Sequence, residues 1–242
     1  MKTLEIIKFL ESSQKTIFNA RDFAKIIKKP INYSTLVLYR LKKGGFIVKI
    51  EKDKYALKDT AAYILFSNVL YPSYISFLTA LNYHNLTTQI PKKVQIIGLK
   101  SKKQISLDNY LIQFVKFKPS KFFGYKREKT PQGFIFIAEI EKAIIDSLYL
   151  PKYCPIDEVY NALNEGLVSP KIIDINKLID YALRMKSKVV LKRLGYLLEL
   201  KNIDCYKEFK DKINEKYDVL DMISKKGERN KKWKLIINRE LD

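Results

Sequence analysis

Few side chains here are suited to acid–base, nucleophilic or metal chemistry, and those few are scattered. His84 is the single histidine. A Ser-His-Asp or Cys-His site would have to use it. It falls in Asn82-Tyr83-His84-Asn85-Leu86, at an expected helix end with no placed partner, so capping or packing is its expected role. Cys154 and Cys205 are the only cysteines. With one histidine they cannot fill a zinc shell, and two distant thiols make no disulfide framework, which suits a reducing cytoplasm. There is no Gly-rich phosphate loop and no G-x-G-x-x-G. No metal and no cofactor is expected. The nearest approach to a catalytic set is acidic. Glu139, Glu141 and Asp146 follow an expected strand, and a two-metal nuclease needs converging carboxylates. Two apart on a helix, Glu139 and Glu141 should point in different directions. The Glu-x-Lys pairs Glu199/Lys201 and Glu208/Lys210 fall on helical stretches. A metal-dependent nuclease is therefore the alternative, and a protein that is not an enzyme is the expectation.

The charge offers a stronger lead. The 242 residues carry a formal net charge of +20, and 47% are hydrophobic. The chain can build real cores and should seek polyanions. Residues 1–60 hold 14 basic and 6 acidic side chains, which gives +8, and the remainder hold 32 and 20, which gives +12. The excess is spread over both parts. A Lys-rich surface also marks thermophiles, so charge alone does not name the partner. Residues 60–91 contain no Asp, Glu, Lys or Arg. Pro72 divides them into pieces too short to span a bilayer, so buried helices over 60–70 and 73–82 are expected instead, with no membrane partner. The start, Met1-Lys2-Thr3-Leu4-Glu5, has no signal-peptide pattern, and a cytoplasmic location is expected.

Residues 19–57 present these charges in an ordered way. Asn19 is a good N-cap and Asp22 favours the first turn of a helix running to about residue 29. Pro30 should stop it, with Ile31-Asn32 as the turn. A second helix is expected over 33–43. Ser34, Val37, Leu38 and Leu41 share its inner face, which leaves Thr35, Leu36, Tyr39, Arg40 and Lys43 outside. Gly44-Gly45 ends it. Phe46-Ile47-Val48 and Tyr55-Ala56-Leu57 read as strands around a Glu51-Lys52-Asp53-Lys54 turn. That order is a winged helix-turn-helix, which presents one helix to the DNA major groove. Asn32, Tyr33, Thr35, Leu36, Tyr39 and Arg40 are the candidate groove contacts on double-stranded operator DNA. Lys43, Lys52 and Lys54 are the candidate phosphate contacts.

The rest of the chain reads as a larger mixed α/β domain with a small sheet and several helices. The expected division is 1–59 and 60–242, in an α+β protein. A first helix covers 3–12. Strands are expected over 94–99, 110–117 and 134–138, a polar crossing over 100–108, and a turn over 119–124. Helices are expected over 139–150, 157–164, 175–185, 188–202 and 206–217, and a closing strand over 233–238 should return to the earlier sheet. Leu78, Leu81, Ile144, Leu148, Leu194 and Leu198 are the expected core.

Three segments of this second part resemble a known family in the same order. They are Tyr71-Pro72-Ser73-Tyr74-Ile75-Ser76 through Leu86-Thr87-Thr88-Gln89-Ile90-Pro91, then Ile137-Ala138-Glu139-Ile140-Glu141-Lys142-Ala143-Ile144-Ile145-Asp146, then Lys192-Arg193-Leu194-Gly195-Tyr196-Leu197-Leu198-Glu199. Together with the winged helix they are similar to the AbiEi-type abortive-infection antitoxins. The resemblance implies a transcriptional repressor of its own operon that counteracts a nucleotidyltransferase-like toxin. Such systems are called type IV because no obligate stable antitoxin–toxin complex is required. A stand-alone regulator without a toxin is the other reading. The oligomeric state is left open.

Overall fold

A computed structural model describes residues 2–13, 15–107, 109–168 and 172–241. It is a mixed α+β structure. The ends of the expected domains at Met1 and Asp242, and Asp108 of the expected polar crossing, lie outside the described residues. No helix among the described residues is long and apolar enough to cross a membrane. The chain divides into two compact units. The first comprises Met1–Ile75, Ile96–Lys116 and Lys126–Ile137, and the second Ser76–Gln95, Phe117–Tyr125 and Ala138–Asp242. Residue 60 thus falls inside the first unit.

The first unit opens with helices α1 (Thr3–Ser12), α2 (Ala20–Ile27) and α3 (Ile31–Lys43), then strands β1 (Ile47–Glu51) and β2 (Lys54–Leu57). α2 begins at a reciprocal cap. Asp22 N donates to Asn19 Oδ1 at 2.8 Å, and Asn19 N donates to Asp22 Oδ2 at 3.1 Å. Lys28, at φ 52°, ends α2 in the left-handed region. The turn therefore lies at residues 28–30 and not at Ile31-Asn32. Pro30 precedes the helix, where its missing N–H costs nothing, so Ile31 and Asn32 are already helical. β1 and β2 pair antiparallel, and Glu51 and Lys54 belong to the strands. Only Lys52 and Asp53 make the turn, with Asp53 at φ 54°. Phe18, between α1 and α2, bridges β2 through two backbone bonds with Tyr55, at 3.0 and 2.9 Å. One apolar cluster knits these pieces: Leu10 of α1, Phe18, Phe23 and Ile27 of α2, Val37, Leu38 and Leu41 of α3, and Ile47.

The same unit carries α4 (Ala62–Asn68) and most of a six-stranded sheet, formed by β3 (Ser73–Ile75), β4 (Lys93–Gly98), β5 (Ile105–Leu107), β6 (Tyr110–Lys116), β7 (Tyr125–Thr130) and β8 (Gly133–Ala138). Their order is β5-β6-β4-β3-β8-β7. The structure differs from the sequence reading at three places in this sheet. The helix expected over 73–82 starts instead with a fully buried strand, because an apolar run with both faces covered has no period to read. β5 and β7 are edge strands: β5 is only three residues long, too short to show a period, and β7 is almost wholly polar. Three polar ties join the N-terminal helices and hairpin to the rest of this unit. Gln132, in the β7–β8 turn, accepts from Ala61 N at 2.7 Å and donates to Asp59 O at 2.9 Å. Lys102 donates to Glu51 at 2.6 and 2.7 Å. Lys54 Nζ donates to Val69 O at 3.2 Å.

The second unit is mostly helical: α5 (Phe77–Tyr83), α6 (Ile140–Tyr149), α7 (Ile156–Leu167), α8 (Ile175–Arg184), α9 (Lys188–Glu199) and the short α10 (Tyr206–Phe209). α6 is its axis, buried from Glu141 through Leu148 and packed against α5, α7, α8 and α9. Leu81, Ile144, Leu148, Leu194 and Leu198 are buried as expected, and Leu78 is half-buried. The helix expected over 206–217 stops after one turn of α10 and a 3₁₀ turn. β9 (Asp218–Val219), β10 (Glu228–Asn230) and β11 (Leu235–Ile237) form a separate three-stranded sheet in the order β10-β11-β9. The closing strand therefore does not return to the earlier sheet. It is held by Trp233, whose ring lies against Gly195: a Cβ there would sit 2.1 Å from the indole.

Candidate nucleic-acid interface

α3 divides cleanly by face. Ser34, Val37, Leu38 and Leu41 are its buried residues, at the i, i+3, i+4, i+7 spacing of one helical stripe. Ser34 is tolerated inside because its hydroxyl donates to Pro30 O at 2.9 Å. Asn32, Tyr33, Thr35, Leu36, Tyr39, Arg40 and Lys43 are all exposed, Tyr39 at 64%. Leu36 and Tyr39 add apolar surface to this exposed face, on a helix already anchored by its other side. Thr35 Oγ1 donates back to Ile31 O at 2.9 Å.

The charges around this face are one-signed. Residues 19–58 hold 11 basic and 3 acidic side chains. Each of the three acids is occupied. Asp22 caps α2 and pairs with Lys15 at 2.6 Å. Burial opposes its ionisation, but the Lys15 contact and the Asn19 N–H hold its carboxyl below the usual range. Glu51 pairs with Lys54 at 2.7 Å and Lys102 at 2.6 Å, and those two cations likewise overcome burial and depress its carboxyl. Asp53 Oδ1 accepts from Ala20 N at 3.4 Å. Among the described residues, none of Arg40, Lys43 and Lys52 is ion-paired. The first turn of α3 contains no acid, so its positive dipole end is unopposed.

Of the nine residues read as nucleic-acid contacts, seven stand on one exposed face of α3 and Lys52 stands exposed at the hairpin tip. Lys54 is placed differently. It is half-buried, with Nζ held by Glu51 and by Val69 O, so its charge is spent within the chain. Lys28, Lys29, Lys42 and Lys49 add exposed cations that the sequence reading does not include. Period-2 alternation along β1 is the available signal for Lys49.

The residues of the nuclease alternative are tied up in structure. Glu139 precedes α6 as its N-cap and is not on the helix, so Glu139 and Glu141 converge on Lys177, each at 3.1 Å, and do not diverge. Burial lowers the pKa of Lys177, but the two carboxylates outweigh that and raise it. Tyr181 donates to Glu139 at 2.5 Å, and burial together with that bond pushes its hydroxyl up to about 12. Asp174 N donates to Glu141 at 3.1 Å. Asp146 is wholly buried. It pairs with Lys142 one turn back and accepts from Ser76 Oγ at 2.8 Å. Among the described residues no group of three or more His, Cys, Asp or Glu is placed to hold a metal ion. His84 Nε2 lies 2.8 Å from Ala138 O, beside the end of α5. Cys154 and Cys205 are buried, and burial pushes both thiols up to about 12.

No protein-family model matches this chain, and no curated protein matches it.

Proposed function

We propose that the N-terminal segment is a winged helix-turn-helix and that the chain is a DNA-binding transcriptional repressor. In this reading α3 is the recognition helix and the β1–β2 hairpin the wing. The observation that carries it is the outer face of α3. Seven side chains, Leu36 among polar, aromatic and basic ones, stand exposed there, and two of the three neighbouring carboxylates, Asp22 and Glu51, are ion-paired inside the chain. The Phe18–Tyr55 bridge adds support, since it fastens the hairpin beside the helices at a fixed angle. Arg40 suits the O6 and N7 of guanine, Asn32 the edge of adenine, and Thr35 and Leu36 the thymine methyl, while Lys43 and Lys52 take phosphates.

The resemblance to AbiEi-type antitoxins extends the proposal: repression of the chain's own operon in the cytoplasm, and relief from a nucleotidyltransferase-like toxin without a required stable complex. The residues that carry the resemblance have physical work within the second unit. Lys142 and Asp146 form its buried ion pair. Arg193 Nη1 donates to Leu148 O at 2.7 Å, and its Nε and Nη2 donate to Val219 O. Gly195 admits Trp233, and Glu199 accepts the indole N–H. Polar groups committed to holding the unit together support the antitoxin reading over a nuclease one.

The test is duplex binding to DNA upstream of the chain's own gene, beside a reporter and a toxin-rescue assay. Arg40→Ala or Tyr39→Ala should weaken operator binding by roughly 1–3 kcal/mol and random duplex by less. Arg40→Ala should lose repression and keep rescue. Retention of full operator preference by both folded variants overturns the recognition-helix reading. Loss of rescue together with repression, at normal protein levels, removes the separate antitoxin role.

A further inference from the structure

The first unit contains a second basic and aromatic surface that the recognition helix does not use. Its centre is a cavity of about 460 Å³ on the β7–β8 hairpin, walled on one side by the segment around Lys15 and Thr16. That volume lies within the ~300–1,000 Å³ range of small-ligand sites. Along β8, Ile135 and Ile137 point into the core, which leaves Phe134 and Phe136 half-buried on the opposite face. Tyr71 is 76% exposed and meets Phe136 edge-on, with ring centroids 6.0 Å apart. Arg127 lies flat over Phe134 at 3.4 Å from the ring centroid. That contact puts Arg127, and by alternation Lys129, on the aromatic face. Lys126 and Glu128 fall on the other side of β7 and pair with each other at 2.6 Å.

The face is therefore cationic as well as aromatic. No Asp or Glu lines the cavity among the described residues. Arg127 and Lys129 are exposed, and neither has an ion-pair partner among the described residues. Lys15 also reaches the cavity, but Asp22 holds it at 2.6 Å. Asn68 is oriented by its amide nitrogen, which donates to Ile64 O and Phe134 O, each at 2.7 Å. Its Oδ1 accepts from no group among the described residues, so it is available at the cavity wall.

We propose that this face is a second nucleic-acid site that takes an unpaired nucleobase. The base stacks against Tyr71 beside Phe136, its exocyclic amine donates to Asn68 Oδ1, and Arg127, seated on the Phe134 ring, and Lys129 take the flanking phosphates. Aromatic side chains on a sheet with adjacent cations are the general solution for holding single strands, because every base has a π-face. A base inside a duplex has both faces covered by its neighbours and cannot enter. The site is thus selective by strandedness, and it is independent of the duplex-reading face of α3.

The test uses the full chain and fluorescence anisotropy with four probes: a labelled single-stranded RNA of about 12 nucleotides, within the ~4–16 nucleotide footprint of such grooves, the same sequence as single-stranded DNA, its duplex, and a nucleoside monophosphate. Tyr71 is largely exposed, so Tyr71→Ala should keep the fold, as circular dichroism and an unchanged duplex affinity would show. It should weaken single-strand binding about 5- to 150-fold, the equivalent of ~1–3 kcal/mol per stacked base, and leave duplex binding unchanged. Lys129→Ala should flatten the salt dependence of the single-strand complex alone. Arg40→Ala should do the reverse of Tyr71→Ala, so failure of this proposal is distinguishable from failure of the repressor reading. Tighter binding of either the RNA or the DNA strand supports the site and identifies its source. Tyr71→Ala binding single strands as the wild type does, or binding of the free nucleotide but of neither strand, overturns it.

Discussion

Lys52 and Lys54 sit two residues apart in the hairpin and should behave differently in duplex binding. Lys52 is exposed at the turn with no ion-pair partner among the described residues, whereas Lys54 is held by Glu51 at 2.7 Å and by Val69 O at 3.2 Å. Each phosphate contact contributes about 0.9 to the slope of log K against log salt, because the contact releases a condensed counterion. Replacing both Lys43 and Lys52 by Ala should therefore flatten the slope by roughly 1.8. Between about 50 and 200 mM salt that difference amounts to a factor of about 12 in how steeply the affinity falls. Lys54→Ala should leave the slope unchanged, since Glu51 keeps its second partner, Lys102, at 2.6 Å. The assay is anisotropy of a labelled duplex titrated across a series of salt concentrations. Two results refute the reasoning: a Lys43→Ala/Lys52→Ala variant with the full slope, or a Lys54→Ala slope that flattens as much as that of Lys52→Ala.

Lys142→Met strands Asp146 as an unpaired buried charge and should cost about 3–5 kcal/mol, while Lys142→Met with Asp146→Leu should recover most of it, as read from urea midpoints. Gly195→Ala drives a methyl group to within 2.1 Å of the Trp233 ring. It should destabilise by about 1–3 kcal/mol and shift the emission of Trp233, the sole tryptophan, at wavelengths where no other residue reports. Tyr181 titrates near 12 in the fold against an ordinary value of 10. The stability its hydroxyl contributes is therefore complete below pH 10 and lost as pH rises towards 12, so the difference in stability between wild type and Tyr181→Phe should shrink across that window.

Much of the first segment is legible in the sequence because its physics is local. The Asn19 cap, the period of α3 and the hairpin each act within a few residues, and the seven outward residues of α3 are set by the four inward ones. The features that sequence reasoning misses depend on distant partners. Lys54 looks identical to Lys52 in sequence, and only Val69, fifteen residues on, and the Glu51 pair separate them. Glu139 seems to diverge from Glu141 only if the helix starts one residue early. Ser73, Tyr74 and Ile75 hide a strand because both of its faces are covered. Gly195 and Trp233 meet across thirty-eight positions, and no local pattern announces that contact.

The Gln132 clamp has a consequence for how binding specificity can change over time. Its side chain spans Asp59 and Ala61, the point at which a recombination break would detach the helices and hairpin from the sheet. A chimera joining residues 1–60 to a foreign partner would inherit an Asp59 carbonyl without Gln132 and a Glu51 without Lys102. The segment is therefore not a portable cassette. Under the proposed reading, new target sequences are more accessible by single replacements on the open side of α3, where Asn32, Thr35, Tyr39 and Arg40 can change without disturbing any of these ties.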